Sequence, residues 1–84
     1  MSYVVYILEC ADRTLYAGST NDIEKRLHEH NSLKSGAHYT KIRRPVVLKY
    51  SEEVPDFATA RAREAEFKKW SRAEKLDFIN LKTL

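Results

Sequence analysis

The sequence predicts an α+β fold in which a small three-stranded antiparallel sheet is flanked by helices. An apolar, β-branched run at residues 3–10 predicts a strand, and capping motifs near Asn21, Asp56 and Ser71 predict helices. The length of 84 residues suits one small domain, so we treat residues 1–84 as a single domain. The expected order of elements is β-β-α-β-α-α.

The first two strands are expected to form a hairpin. Residues 3–10 are nearly continuous in apolar character, which indicates a strand covered on both faces. Residues 11–13 read as a tight turn before a second strand over residues 14–17. A three-residue loop pairs even-numbered positions with even-numbered ones, so Tyr6 and Tyr16 should project from the same side.

The next element is a helix that ends near His30 or Asn31. Asn21 with Glu24 three residues later is typical of a capping box, so Asn21 is the predicted N-cap. Arg26 lies one turn before His30, which puts both side chains on one face of the helix.

The second half of the chain predicts one strand and two helices. The strand is expected over residues 46–51 and the first helix over residues 57–69. Ser71 with Glu74 is another capping box, and it opens a final helix that ends near Asn80.

Composition excludes several classes of protein. Hydrophobic residues make up 43% of the chain, which argues against wholesale disorder. A single cysteine, Cys10, cannot form an internal disulfide and is expected to be a buried apolar residue. The chain lacks the roughly 18 consecutive apolar residues of a membrane helix and the start of a signal peptide. We therefore expect an intracellular, cytoplasmic protein with no membrane partner.

A carboxylate interrupts the apolar stripe of the helix predicted over residues 57–69. Phe57, Ala60, Glu64 and Phe67 follow one helical face, so Glu64 points inward. Charged groups are rarely buried without a partner. Glu64 is therefore either a metal ligand or one half of a salt bridge to a nearby Arg. One carboxylate with water molecules and a substrate phosphate is an ordinary way to hold Mg²⁺.

Four more polar residues extend this candidate site. Tyr6 and Tyr16 either pack in the sheet or present their hydroxyls, and a phenol with a pKa of about 10 needs a nearby cation to act as a base. Arg26 can clamp a phosphate and His30 can relay a proton. Together with Glu64, these are the groups that metal-assisted phosphodiester cleavage requires.

The segment over residues 32–44 is basic and has no acidic residue, within a chain of net charge +3. A basic stretch interleaved with an aromatic side chain fits an anionic polymer. Alternatively, Arg43 and Arg44 cap helix carbonyls or pair with Glu52 or Glu53. The candidate nucleic-acid contacts are Lys34, His38, Tyr39, Lys41, Arg43 and Arg44.

Residues 3–70 resemble the GIY-YIG nuclease superfamily, and its small stand-alone members in particular. The first motif corresponds to Val4-Val5-Tyr6, where Val4-Val5 replaces Gly-Ile. The second corresponds to Tyr16-Ala17-Gly18, which keeps the tyrosine and the structural glycine. The later motifs correspond to the helix of Arg26 and His30 and to Arg63-Glu64. The family's glycine in the first turn is replaced by Asp12-Arg13.

The resemblance implies an endonuclease that acts on DNA with Mg²⁺ or Mn²⁺ held by Glu64 and without a small-molecule cofactor. It implies that Tyr6 activates or orients water and that Tyr16 supports the site. Arg26 would bind the scissile phosphate, and His30 would position Tyr6, water or phosphate. Two other classes remain open: a catalytically idle nucleic-acid-binding module that uses residues 32–44, and a protein-interaction domain on the same scaffold.

Overall fold

The elements follow one another in the order that the sequence predicts. The computed structural model describes residues 2–31 and 45–82. The strands and helices within these ranges are β1 (Tyr3–Glu9), β2 (Leu15–Thr20), α1 (Ile23–Asn31), β3 (Val47–Val54), α2 (Phe57–Lys69) and α3 (Arg72–Lys82). The sheet has the order β2-β1-β3, and both strand pairs are antiparallel. The predicted α+β class and three-stranded antiparallel sheet are therefore confirmed.

The hairpin of β1 and β2 has the predicted register. Tyr6 lies opposite Gly18, and Leu8 lies opposite Tyr16, so even-numbered residues face even-numbered ones. β2 is longer than predicted, because it continues to Thr20 rather than ending at residue 17. The register places Tyr6 and Tyr16 on the same side of the sheet, as expected.

The hairpin turn is closed by backbone hydrogen bonds around an unusual residue. Cys10 N–H donates to the carbonyl oxygen of Thr14 at 2.9 Å, and Arg13 N–H donates to that of Cys10 at 2.9 Å. Asp12 Oδ1 accepts from the backbone N–H of Thr14 at 3.1 Å. Arg13 has a φ of 72°, a left-handed conformation that strains any residue with a Cβ.

Helices cover both faces of the sheet. On one face, Val5, Ile7 and Ala17 pack with residues of α2 and α3, which include Phe67 and Ile79. On the other face, a second core joins the sheet to α1 through Tyr6, Leu8, Cys10, Val46, Ile23 and Leu27. Because β1 is central and both of its faces are covered, its continuous apolar run is explained. The expected burial of Cys10 is confirmed.

An irregularity in β3 lets this strand serve both cores. Ile7 pairs with Tyr50, but the next residue, Leu8, pairs with Leu48, so the register shifts by one residue. As a result Leu48 packs with the core under α1, whereas Tyr50 packs with the opposite core. There the Tyr50 ring contacts Phe67 edge-on, with ring centroids 6.2 Å apart. A bulge of this kind reverses which side chains face each layer.

Polar side chains cap the helices. The predicted N-cap Asn21 is wrong: Asp22 caps α1, because its Oδ1 accepts from the backbone N–H of Lys25 at 3.1 Å. α1 begins at Ile23, one residue later than an Asn21 cap requires. The capping box of Ser71 with Glu74 is confirmed by reciprocal bonds of 2.8 and 3.1 Å.

A side-chain amide joins the end of α1 to the residue before β3. Asn31, the last residue of α1, accepts from the backbone N–H of Val46 at 2.8 Å through Oδ1. Its Nδ2 donates to the carbonyl oxygen of Val46 at 3.2 Å. This pair of bonds fixes the end of α1 against the start of β3.

One predicted core residue lies elsewhere. Phe57, the first residue of α2, is exposed rather than buried. Its ring packs against Tyr3, with ring centroids 5.5 Å apart.

In the described ranges, 2–31 and 45–82, none of the helices is long and apolar enough to cross a membrane.

Replacing Arg13 with glycine should stabilise the protein. Glycine adopts a positive φ without the Cβ clash that costs about 1 kcal/mol, although it also loses more backbone freedom on folding. We expect Arg13→Gly to raise the free energy of unfolding by roughly 0.5 kcal/mol, the difference between these two effects. Arg13→Ala is the matched control, because it removes the same exposed guanidinium but keeps the Cβ. Urea denaturation that shows equal stability for the two variants would contradict this account.

Candidate active site

A buried polar contact joins the sheet to α1. The hydroxyl of Tyr6 lies 2.9 Å from Nε2 of His30. Tyr6 is 1% exposed and His30 is fully buried. A buried imidazole without a hydrogen bond would destabilise the fold, so this contact satisfies two groups at once. It also fixes the ring of Tyr6 relative to the last turn of α1.

Gly18 makes room for the Tyr6 ring. The two residues face each other across the hairpin. A Cβ added at Gly18 would lie 2.5 Å from Oη and 2.7 Å from Cζ of Tyr6, far inside normal contact distance. The glycine is therefore required by this close approach, since its own φ is not positive. Its absence of a side chain lets the Tyr6 hydroxyl reach across β2, the strand at one end of the sheet.

Arg26 and Tyr16 complete this half of the site. Arg26 hydrogen-bonds the Tyr6 hydroxyl, and its Nη1 donates to Glu29 Oε1 at 3.3 Å. Its side chain is 30% exposed, so it is far more accessible than Tyr6. The ring of Tyr16 packs edge-on against the imidazole of His30, with centroids 5.3 Å apart. The predicted shared face of Arg26 and His30 is confirmed, because both contact one hydroxyl.

The Tyr6 phenol is a weak acid in this environment. Burial raises its pKa to about 12, and the charge of Glu64 and the neighbouring Tyr16 act in the same direction. Arg26 lowers the pKa, as expected of a nearby cation, but its effect is smaller than that of burial. Tyr6 is therefore a protonated phenol at neutral pH.

Glu64 approaches the same strand from the opposite face of the sheet. It lies on α2 between Ala60 and Phe67, which are both fully buried, so its predicted inward position is confirmed. Ser19 Oγ donates to Glu64 Oε1 at 2.6 Å. Lys68 Nζ lies 2.7 Å from Glu64 Oε2. The ion pair considered for Glu64 therefore exists, but its cation is Lys68 rather than an arginine.

Glu64 is ionised at neutral pH despite its partial burial. Burial opposes ionisation, but the hydrogen bonds from Lys68 and Ser19 and the charges of Lys68 and Arg61 outweigh it. The net result lowers the pKa of Glu64 below its ordinary value. The site thus contains two acidic groups whose surroundings shift their pKa values in opposite directions. The pKa of Tyr6 is raised and that of Glu64 is lowered.

The two halves of the site meet at β2. Gly18 receives Tyr6 on the face covered by α1, and the next residue, Ser19, binds Glu64 on the face covered by α2. Glu64 affects the pKa of Tyr6, so the halves interact electrostatically across the strand. The structure thus brings Tyr6, Tyr16, Arg26 and His30 into one cluster. Glu64 lies outside this cluster and contacts Ser19, the residue after Gly18.

Sequence reasoning missed Ser19 and Lys68. Ser19 follows Gly18 in a strand, so alternation points its side chain toward the opposite face. Lys68 lies four residues after Glu64, the spacing of an ion pair on a helix surface.

The six candidate nucleic-acid contacts lie outside the described residues: Lys34, His38, Tyr39, Lys41, Arg43 and Arg44.

The donors around Glu64 fit a hard divalent cation. The ionised carboxylate and the Ser19 hydroxyl are oxygen ligands of the kind that Mg²⁺ binds together with water. The ammonium of Lys68 already occupies a position beside Oε2, which shows that this position suits a positive charge. Among residues 2–31 and 45–82 there is no group of three or more His, Cys, Asp or Glu side chains that could hold a metal. Glu64 is the carboxylate of the candidate site that a metal would use.

Comparison with known proteins identifies the family. Residues 2–77 match the family described as the GIY-YIG catalytic domain. The chain belongs to the GIY-YIG family. This family is a nuclease superfamily, and the match covers all five residues of the candidate site.

Relatives of this GIY-YIG domain are similarly small proteins. It is 61% identical over 75 residues to a UPF0213 protein of Syntrophus aciditrophicus (strain SB), covering 89% of this chain and 86% of that protein. It is 47% identical over 79 residues to a UPF0213 protein of Streptococcus sanguinis (strain SK36), covering 94% and 90%. The small single-domain members expected from the motifs are therefore its relatives.

Two solved structures share the fold. The solution NMR structure of the UPF0213 protein BH0048 from Bacillus halodurans is similar with a TM-score of 0.63 and 40% identity, over 98% of this chain and 86% of that one. The solution NMR structure of the protein EF2693 from E. faecalis is similar with a TM-score of 0.66 and 35% identity, over 99% and 88%.

Replacing Gly18 with alanine should displace the Tyr6 ring. The added Cβ would overlap Oη and Cζ of a buried side chain, and overpacking of this kind costs about 1–3 kcal/mol. We expect thermal denaturation to show this loss in Gly18→Ala. In a Tyr6→Leu background the same change should cost much less, because the ring is gone. Equal costs in both backgrounds would show that Gly18 serves another purpose.

Ionisation of Tyr6 should destabilise the GIY-YIG domain at high pH. The folded pKa of about 12 exceeds the ordinary value of 10.0, so between these values the folded state keeps a proton that the unfolded state releases. The contribution is complete below pH 10 and is lost as the pH rises through 12. At about 1.4 kcal/mol per pH unit, it amounts to roughly 2–3 kcal/mol.

Denaturation at a series of pH values checks this effect. Tyr6→Phe should show a shallower loss of stability between pH 10 and 12 than the unmodified protein. Burial also raises the pKa of Tyr50 to about 12. The double variant Tyr6→Phe/Tyr50→Phe should therefore lose even less stability over this pH range. Identical slopes for Tyr6→Phe and the unmodified protein would mean that the phenol is not held in its neutral form.

Proposed function

We propose that this protein is a metal-dependent nuclease that hydrolyses phosphodiester bonds in DNA by attack of water. The observation that carries the proposal is the junction at β2. A buried Tyr6–His30 pair lies on one face of this strand and an ionised Glu64 on the other. An accessible arginine, Arg26, contacts the tyrosine hydroxyl. Membership of the GIY-YIG family supports the same chemistry.

Glu64 is the proposed ligand for Mg²⁺ or Mn²⁺. Ser19 donates to Oε1 and thereby holds the carboxylate in one orientation, so that Oε2 is the oxygen that faces a cation. A bound divalent ion would supply Lewis-acid stabilisation of the leaving oxygen. Because Glu64 has a lowered pKa, the carboxylate needs no deprotonation at neutral pH before it binds a cation.

Tyr6 and His30 form the proposed path for the proton of water. Since burial raises the pKa of Tyr6 to about 12, the phenol does not act as a preformed phenolate. Instead, Tyr6 Oη accepts the proton from water while its own proton passes to Nε2 of His30, 2.9 Å away. Water thus becomes the hydroxide nucleophile, and His30 ends as the imidazolium. This relay requires His30 to carry its proton on Nδ1 beforehand.

Arg26 is the proposed phosphate contact. Its side chain is partly exposed, and Glu29 orients the guanidinium from one side. A planar guanidinium can bind two phosphate oxygens at once and neutralise charge that develops at phosphorus. Tyr16 supports this arrangement because its ring holds the imidazole of His30 from the neighbouring strand.

DNA is the proposed partner, and the basic segment over residues 32–44 is the proposed source of contacts to flanking phosphates. Its positively charged side chains follow directly after the helix that carries Arg26 and His30. Phosphate contacts of this kind position a duplex without reading its sequence. The alternative is a catalytically idle module that binds nucleic acid through the same segment.

The decisive experiment compares Glu64→Gln with Glu66→Gln. Both changes remove one negative charge from α2, but Glu66 is exposed and pairs with Arg63 rather than facing the sheet. Plasmid, single-stranded, nicked and branched DNA are incubated with Mg²⁺, Mn²⁺ or EDTA. We expect metal-dependent cleavage by the unmodified protein and by Glu66→Gln. Glu64→Gln should lose about two orders of magnitude in rate, the scale of one removed electrostatic contact.

Stability must be measured on the same samples. Glu64→Gln breaks only a partly exposed ion pair with Lys68, so it should cost no more than about 1 kcal/mol. Undiminished metal-dependent cleavage by a folded Glu64→Gln variant would refute the proposed nuclease mechanism. DNA binding by the unmodified protein without cleavage in any metal would establish the idle module instead.

A further inference from the structure

Both carboxylate oxygens of Glu64 are engaged, but by partners of different kinds. Ser19, on β2, donates a hydroxyl to Oε1 at 2.6 Å. Lys68, one turn further along α2, places its ammonium 2.7 Å from Oε2. The side chain of Glu64 is 15% exposed, whereas that of Lys68 is 52% exposed. Oε2 is thus held by a partner whose long side chain is more than half exposed.

We propose that Lys68 is an internal cation that competes with the divalent metal ion for Glu64, and that a substrate phosphate ends this competition by drawing Lys68 away. The proposal rests on the proposed function, since it requires Glu64 to be the metal ligand. It adds a specific role for a residue outside the five candidate catalytic side chains.

The competition follows from charge and reach. A metal ion on Oε2 and an ammonium 2.7 Å from the same oxygen would repel each other, so one must move when the other binds. Lysine has a flexible four-carbon stem and a compact charge, which lets it leave the carboxylate without any change in the helix. Serine cannot take part in this exchange, because its short side chain is fixed on β2.

The substrate supplies a second partner for the displaced lysine. Once the metal balances Glu64, Lys68 would be a lone ammonium at the site, and a phosphate oxygen is an acceptor that carries charge. After the exchange each charged group is again paired, Glu64 with metal and Lys68 with phosphate. By thermodynamic linkage, a phosphate-bearing ligand must then raise the affinity for metal, and the metal must raise the affinity for that ligand by the same factor.

Metal affinity measured without DNA tests the first half. Mn²⁺ is titrated by isothermal calorimetry into the unmodified protein, Lys68→Met, Lys68→Arg, Lys69→Met and Glu64→Gln. A partly exposed ion pair corresponds to an affinity change of at most about five-fold, so Lys68→Met should bind Mn²⁺ about three- to five-fold more tightly. Lys69→Met removes the same charge from the adjacent exposed position and should change the affinity less than about two-fold.

The remaining variants separate this inference from the proposed function. Lys68→Arg keeps a cation beside Glu64 and should retain the weaker affinity. Glu64→Gln should lose Mn²⁺ binding. Suppose that Lys68→Met and the unmodified protein bind Mn²⁺ equally while Glu64→Gln does not bind it. The competition by Lys68 is then refuted, and Glu64 remains the metal ligand. If Glu64→Gln binds as well as the unmodified protein, Glu64 is not the ligand and both proposals fail.

Duplex binding tests the second half. The affinity of a short labelled DNA duplex is measured by fluorescence anisotropy in Ca²⁺ and in EDTA. Ca²⁺ should raise the duplex affinity of the unmodified protein by a larger factor than that of Lys68→Met, because only the former has a lysine to release. Equal factors in the two proteins would overturn the role assigned to the phosphate.

Discussion

The hydrogen bond between Tyr6 and His30 is the contact on which the rest of the site depends. Both partners are buried, so removal of either breaks a buried hydrogen bond, at a cost of about 1 kcal/mol. The bond fixes the last turn of α1 against the central strand. Gly18 provides the space for the tyrosine ring, and Tyr16 packs against the imidazole that the bond orients. The contact is thus a structural requirement as well as a proposed proton path.

The two faces of β2 shift the pKa values of Tyr6 and Glu64 in opposite directions. Tyr6 lies in a closed environment, and burial keeps its phenol neutral. Glu64 lies at a half-open position where Lys68 and Ser19 keep its carboxylate ionised. Environments that push the pKa values of neighbouring groups apart are typical of sites that move protons and bind cations side by side. A single strand with one face under α1 and the other under α2 is enough to create both environments.

Local rules explain which parts of this architecture the sequence predicts. A three-residue turn determines the hairpin register, so the common face of Tyr6 and Tyr16 could be predicted. Helical periodicity likewise placed Glu64 toward the sheet. The Asn21 cap failed because Asp22, the adjacent residue, has a similar carbonyl oxygen and the same capacity to cap. The bulge opposite Ile7 and Leu8 and the contact of Ser19 with Glu64 depend on tertiary packing, which no local pattern contains.

The amide of Asn31 gives the chain a natural point of variation. Because it holds Val46 by two hydrogen bonds, the end of α1 is joined directly to the residue before β3. In polymer terms, a longer connection between fixed ends costs only about 0.6 kcal/mol for each doubling of its length. A segment of another size or charge between these two positions would therefore leave the contact of Asn31 with Val46 in place.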